Sequence, residues 1–169
     1  MIKEPKIILN NVFSKEHRKK LIEDCEPLLL GKEQLQNRFN QSFPPSKQTP
    51  GSLHIHPKFQ HTCYRLSVIL KKKFSPNLYV ENAWINWNSG KKDEMCWHNH
   101  PYVPYFCIYY IKTTRFINNG TMYMKNGSEY FFRSRSNSMV IFPGAMYHSV
   151  PSYSLPFKRY TLAMDLNIF

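Results

Sequence analysis

The chain has 169 residues, about the size of one domain, and 42% hydrophobic with 15% aromatic residues is enough for a sizeable core. Lys+Arg at 23 against Asp+Glu at 11 gives a net charge of +12, which favours solubility and anionic partners. The four cysteines, Cys25, Cys63, Cys96 and Cys107, form no CxxC pair, which excludes a zinc ribbon or a disulfide scaffold and leaves reduced, mostly buried thiols.

In chain order, Met1-Ile2-Lys3-Glu4-Pro5 lacks the apolar core of a signal peptide. No later stretch approaches the roughly 18 apolar residues of a membrane span, so a soluble cytoplasmic protein is expected. Ile7-Ile8-Leu9 with Val12-Phe13 predicts a short strand, and Ser14 can then cap a helix by accepting from free amides of its first turn. Leu21, Ile22, Cys25, Leu28 and Leu29 keep helical spacing, but Pro27 predicts a break near Glu26.

The stretch Gln34 to Ser52, with Pro44-Pro45 and Gly51, has the composition of a long loop, a length often used for lids. A second helix is predicted from about His56 to Phe74, because Phe59, Cys63, Leu66 and Leu70 repeat along one face. Lys19-Lys20 and Lys71-Lys72-Lys73 fall on these helices as solvated faces.

From Leu78 the pattern changes to short β-rich runs divided by turns. The expected strands are Leu78 to Trp87, Phe106 to Ile111, Thr121 to Lys125, Glu129 to Arg133, Ser138 to Phe142, Tyr147 to Val150 and Arg159 to Leu166. Asn119-Gly120 and Asn126-Gly127 are the strongest hairpin signals, since Asn-Gly accepts the positive φ of a tight turn. One domain over 1–169 is expected: a helical and loop flank over 1–77, and over 78–169 the β core of a mainly β protein, a sandwich, barrel or jelly roll.

Two His-x-His-Pro tetrads occur, His54-Ile55-His56-Pro57 and His98-Asn99-His100-Pro101. In extended chain either would present two imidazoles on one face. The first stands between a polar loop and a helix, where proline is an ordinary helix start, and it is set aside. The second lies between strands that can hold its rings rigidly. Downstream come His148 and, eleven residues later, Arg159, with Thr161 on the same strand face. Imidazoles suit iron, zinc or copper. Arginine's planar fork suits a carboxylate through two parallel charge-assisted hydrogen bonds.

Residues 84 to 165 resemble the iron(II)/2-oxoglutarate-dependent oxygenases, specifically the small prolyl-4-hydroxylase-like members of bacterial and phage type. The resemblance is carried by Trp84-x-Asn86, His98-x-His100-Pro101, Tyr109-Tyr110, Gly120-Thr121, Phe142-Pro143 followed by His148, and Arg159-x-Thr161. It implies a double-stranded β-helix, the cupin-like jelly roll. It also implies Fe(II) held by residues of the HxH segment and by His148, and 2-oxoglutarate held by Arg159 and Thr161. Asn86 and one tyrosine of the adjacent pair, taken as Tyr110, would reach the same pocket. The implied reaction consumes dioxygen, decarboxylates 2-oxoglutarate to succinate and hydroxylates a substrate.

Relatives of this kind act on small metabolites, peptidyl proline or nucleic acids, and the substrate class stays open among these. Two departures stand out: His100 occupies a position more often held by Asp or Glu, with Asp93 and Glu94 as nearby alternatives, and Phe106-Cys107 replaces a small Ser-Gly pair. Tyr102 and Tyr105 are the candidates for the substrate rim. Two other readings compete. A cupin-like three-histidine metalloprotein without 2-oxoglutarate fits HxH plus a distant histidine. A nucleic-acid-binding protein fits the +12 charge and interleaved aromatics such as Tyr130-Phe131-Phe132-Arg133.

Overall fold

The architecture is described here from a computed structural model, which describes residues 4–31, 33–35, 47–89, 95–114, 120–151 and 157–169. Most of the predicted loop, residues 36–46, the charged turn with Asp93 and Glu94, and Asn119 lie outside the described residues.

Strand β1 (Lys6–Asn10) leads into helix α1 (Lys15–Cys25), whose first turn is capped by Ser14 Oγ accepting from the His17 amide at 3.1 Å. The α-helix stops where Pro27 requires it, and Glu26–Leu28 form a single 3-10 turn. Two short strands follow, β2 (Leu30–Gly31) and β3 (Lys47–Gln48). Helix α2 (Gln60–Lys73) begins later than its apolar periodicity predicts. The chain before it closes i→i+3 bonds, Ile55 N to Ser52 O, His56 N to Leu53 O and Phe59 N to His56 O, so the first His-x-His-Pro tetrad is spent on turns.

The β core consists of β4 (Leu78–Asn88), β5 (Met95–His98), β6 (Tyr105–Lys112), β7 (Gly120–Lys125), β8 (Ser128–Arg133), β9 (Ser138–Pro143), β10 (His148–Val150) and β11 (Arg159–Ile168). They form two antiparallel sheets, one ordered β1-β9-β6-β11-β4-β3-β2 and the other β5-β10-β7-β8. The fold is a jelly roll with helices on its larger sheet, as the β-rich pattern predicts. The short β5 is absent from the predicted strands, and Asn126-Gly127 makes the β7–β8 hairpin with both residues at positive φ.

Alternation along the strands of the larger sheet sorts two chemistries. Tyr105, Cys107, Tyr109 and Ile111 of β6, Met139 and Ile141 of β9, and Tyr160, Leu162, Met164 and Leu166 of β11 face the helices. There they pack with Cys25, Phe59, Cys63, Leu66 and Leu70. On the other side Phe106, Ile108, Tyr110, Val140 and Phe142 form a second apolar cluster. That side also receives Trp84, Asn86 and Asn88 from β4 and Arg159, Thr161, Ala163 and Asp165 from β11 by the same alternation. It faces the smaller sheet: the Phe106 ring stacks on His148 with centroids 4.2 Å apart, and Tyr110 reaches Thr121 of β7.

Asn137, at φ 67°, ties the N-terminus to this frame. Its side-chain amide donates to Phe13 O at 2.7 Å, and its carbonyl accepts from Phe13 N and Tyr109 Oη, both at 2.9 Å. Tyr109 is therefore a structural hydroxyl on the helix side, and Tyr110 is the member of the pair that faces the smaller sheet.

Candidate metal centre

Strands β5 and β10 run antiparallel with His98 directly opposite His148, which sets the two imidazoles side by side with centroids 4.2 Å apart. His100 lies two residues beyond the end of β5. Its backbone N–H donates to Gly144 O at 2.8 Å, while Gly144 N–H donates to Pro104 O at 2.9 Å. The turn between β9 and β10 is thereby clasped to the loop carrying His100. Each of the three histidines offers a nitrogen within 4.8 Å of the others, and this is the metal-competent group among the described residues. The His54-x-His56 twin is not part of it.

Two features prepare the imidazoles for a metal. His148 Nδ1 lies 3.2 Å from the carbonyl of Met146, which can only accept, so a proton there leaves the Nε2 lone pair available. Burial, reinforced by the proximity of His98 and His100, pushes the His148 pKa well below the ordinary histidine value, against a smaller opposing effect of the Met146 carbonyl. The ring is neutral at physiological pH, the form a metal requires.

Phe106, the bulky departure noted in the sequence, forms the apolar wall of this centre. It stacks on His148, on His100 at 4.7 Å and on Phe142 at 4.7 Å. Cys107 points to the helix side and does not touch the cavity. A carboxylate does reach the histidines, from a strand where none was sought: Asp165 Oδ1 of β11 lies 2.8 Å from His100 Nδ1. Asp165 shares strand parity with Arg159 and Thr161, and that alternation was the signal available to find it.

The predicted cosubstrate residues meet on the same wall. Arg159 is 1% exposed; its guanidinium lies 5.5 Å over the Tyr110 ring, with Nη2 3.5 Å from Thr121 Oγ1. Tyr110 Oη and Thr121 Oγ1 are hydrogen-bonded at 2.8 Å. Thr161 stands in register between Asn86 and Tyr110, and Arg159 is opposite Asn88. Asn86 Oδ1 is buried with no hydrogen-bond partner among the described residues, so a donor is wanted beside it. Thr121 was quoted in the sequence only as part of a motif, and the structure makes it the bridge between Tyr110 and Arg159. Tyr123, the cross-strand partner of His148, was not singled out at all.

The two rim candidates separate. Tyr102 is 94% exposed in the turn that follows His100-Pro101. Tyr105 is a correction: it is 4% exposed and packs edge-on against Phe74, with ring centroids 4.9 Å apart. Being the first residue of β6, it takes the parity of Cys107 and Tyr109 and faces the helices, away from any cavity mouth.

No protein-family profile matches the sequence, and no curated protein matches it in sequence. Solved structures do match in fold. HygX from Streptomyces hygroscopicus, crystallised with nickel and 2-oxoglutarate, aligns over 98% of this chain and 83% of its own with a TM-score of 0.75 at 11% identity. A Pseudomonas putida prolyl-4-hydroxylase aligns over 98% of this chain and 93% of its own, with a TM-score of 0.69 at 10% identity. SnoN, a non-heme alpha-ketoglutarate-dependent epimerase from nogalamycin biosynthesis, covers 96% of this chain and 77% of its own, with a TM-score of 0.71 at 8% identity. The chain has the jelly-roll fold of 2-oxoglutarate oxygenases.

Proposed function

We propose that the protein is an Fe(II)/2-oxoglutarate-dependent oxygenase that hydroxylates its substrate. The observation that carries this reading is the placement of three clustered imidazoles and a buried arginine between the two sheets of one jelly roll. A neutral His148 oriented by Met146 O and an unsatisfied Asn86 Oδ1 are what a metal and a polar cosubstrate would use. The same fold in HygX holds nickel and 2-oxoglutarate, which supports the pairing of ligands.

In this reading His98, His100 and His148 hold the metal, and Arg159 and Thr161 receive the distal carboxylate of 2-oxoglutarate, with Asn86 and Tyr110 beside them. When bound, iron(II), 2-oxoglutarate and dioxygen supply the oxidation: one oxygen atom enters succinate as carbon dioxide leaves, and the other enters a substrate C–H bond. The chain's own residues position these reactants and exclude water. Arg159 is held in place by stacking on Tyr110 and by Thr121, so the orientation of its fork is set before the cosubstrate arrives. Phe106 and Phe142 keep the histidine side apolar, which strengthens electrostatic interactions within it.

Anaerobic addition of Fe(II) and 2-oxoglutarate is expected to produce a visible charge-transfer band that His148→Ala abolishes. Arg159→Ala is expected to weaken 2-oxoglutarate by roughly 10- to 100-fold while iron still binds, the size of a lost charged hydrogen-bond pair. No band in the wild-type protein sinks the proposal. A metal-dependent activity indifferent to both 2-oxoglutarate and Arg159→Ala would instead make the protein a cupin-like metalloenzyme.

A further inference from the structure

His100 stands where the enzymes it resembles more often carry a carboxylate, and among the described residues the carboxylate of Asp165 lies against it. We infer that Asp165 is a positioning residue for the metal centre: it takes the Nδ1 proton of His100 into a hydrogen bond and thereby turns the Nε2 lone pair toward the metal. This rests on the reading of the three histidines as a metal site and assigns a role to a residue that would not itself be a ligand.

Four observations converge on it. Asp165 Oδ1 lies 2.8 Å from His100 Nδ1, yet it is outside the group of atoms that could share one ion, so it supports His100 from behind. That oxygen is buried and makes no properly aligned hydrogen bond among the described residues, although the distance to His100 Nδ1 is short enough for one. A buried carboxylate oxygen in that condition is costly, and a small rotation of the His100 ring removes the cost. The ring is confined to rotations of that kind, because Trp84 stacks on it at 5.8 Å and Phe106 at 4.7 Å, each with planes 23° apart.

His148 Nδ1 is held by a neutral backbone carbonyl. His100 is held by a charge. Three neutral histidines leave the full charge of a divalent ion uncompensated, and a carboxylate one imidazole away returns part of the negative charge that a directly ligating Asp or Glu would supply. The centre thus keeps a carboxylate within its network while His100 occupies the ligand position. Such a partner also fixes the tautomer of the histidine.

The test uses Co(II) as probe, read by calorimetric titration and by the visible ligand-field spectrum of the full-length protein. Wild type is expected to bind one equivalent, and His148→Ala to lose that binding. Asp165→Ala is expected to bind 10- to 100-fold more weakly with a shifted spectrum. Asp165→Asn, whose side-chain carbonyl can still accept from Nδ1, should recover much of the affinity and also serves if the alanine variant folds poorly. A double-mutant cycle isolates the route: once His100→Ala is in place, Asp165→Ala should change Co(II) affinity by less than about twofold. Unchanged affinity and spectrum in Asp165→Ala, with His148→Ala still inactive in binding, overturns the role of Asp165 alone. An equal loss from Asp165→Ala with or without His100 overturns it too. Failure of the wild type to bind Co(II) overturns the metal site and this inference together.

Discussion

His148 is a histidine almost without solvent, flanked by two others, and its titration follows from that. An unfolded histidine titrates near 6.5, whereas the folded ring, desolvated and close to His98 and His100, titrates well below it. Between the two values the unfolded state binds more protons, so stability of the metal-free protein rises with pH through that window. Above about 6.5 neither state binds the proton and the dependence levels off. Urea midpoints measured in the presence of a chelator should therefore climb as pH rises from the acid side through about 6.5 and then flatten. His148→Gln should reduce the climb, and an unchanged slope in that variant would assign the dependence to another group. The same residue shows what single letters convey. His98, His100, His148 and Arg159 were legible because unusual side chains recur at intervals that strands can use. Asp165 was not, because one acidic residue on a strand has no local signature, whereas Asp93 and Glu94 lie near the tetrad in sequence. Tyr105 was misplaced for the converse reason: nearness to Tyr102 in sequence suggested a shared rim, while strand parity turned it inward against Phe74.

At the scale of elements, the β9–β10 turn deserves a mutation because it positions two of the clustered histidines at once. A Cβ on Gly144 would fall 1.8 Å from Val103 O and 2.7 Å from His100 O. Both are backbone atoms, so no side-chain rotation relieves the clash, and the His98–Pro104 segment must move away from the turn that leads to His148. Gly144→Ala is expected to destabilise the protein by about 1–3 kcal/mol, the range of overpacked sites. It should also weaken Co(II) by more than tenfold, since displacements of an ångström at a preorganised site are expensive. A variant that binds Co(II) like wild type would show that the clasp between Gly144 and His100 is dispensable. The elements themselves were largely legible. Ser14, Pro27 and Asn126-Gly127 act locally through capping, a missing amide and positive φ, and each appears where the sequence places it. β5 was missed because four residues after a charged stretch of sequence carry little periodicity; its pairing with β10, a long-range contact, makes it a strand. The start of α2 slipped because apolar spacing reports the buried face and not the turn geometry that precedes it.

Across the whole molecule, the larger sheet separates a helix-covered apolar layer from the inter-sheet face that carries the polar site. The separation explains why the fold class was readable and the three-dimensional partners were not. Alternation is written in each strand, but which strand faces which is decided by pairing across the chain, as when Tyr110 of β6 meets Thr121 of β7. The helix layer also holds Cys25, Cys63 and Cys107, all free and buried. Burial pushes the thiols of Cys25 and Cys63 up to about 12 and that of Cys107 higher still, so almost none of any of them is thiolate at neutral pH. Their alkylation must wait for the layer to open, which makes it a clock for that opening. Leu70, fully buried on α2, provides the perturbation: Leu70→Ala removes packing from the helix–sheet layer and is expected to cost about 2–5 kcal/mol. In a Cys96→Ser background at pH 8, native protein should resist iodoacetamide at these three positions, and Leu70→Ala should accelerate their labelling together by at least tenfold. If Cys107 remains protected while Cys25 and Cys63 react, the helices detach from the sheet as a separate unit. Equal acceleration at all three means that the layer and the jelly roll open as one cooperative structure, so that the geometry of the metal centre depends on packing on the far side of the sheet.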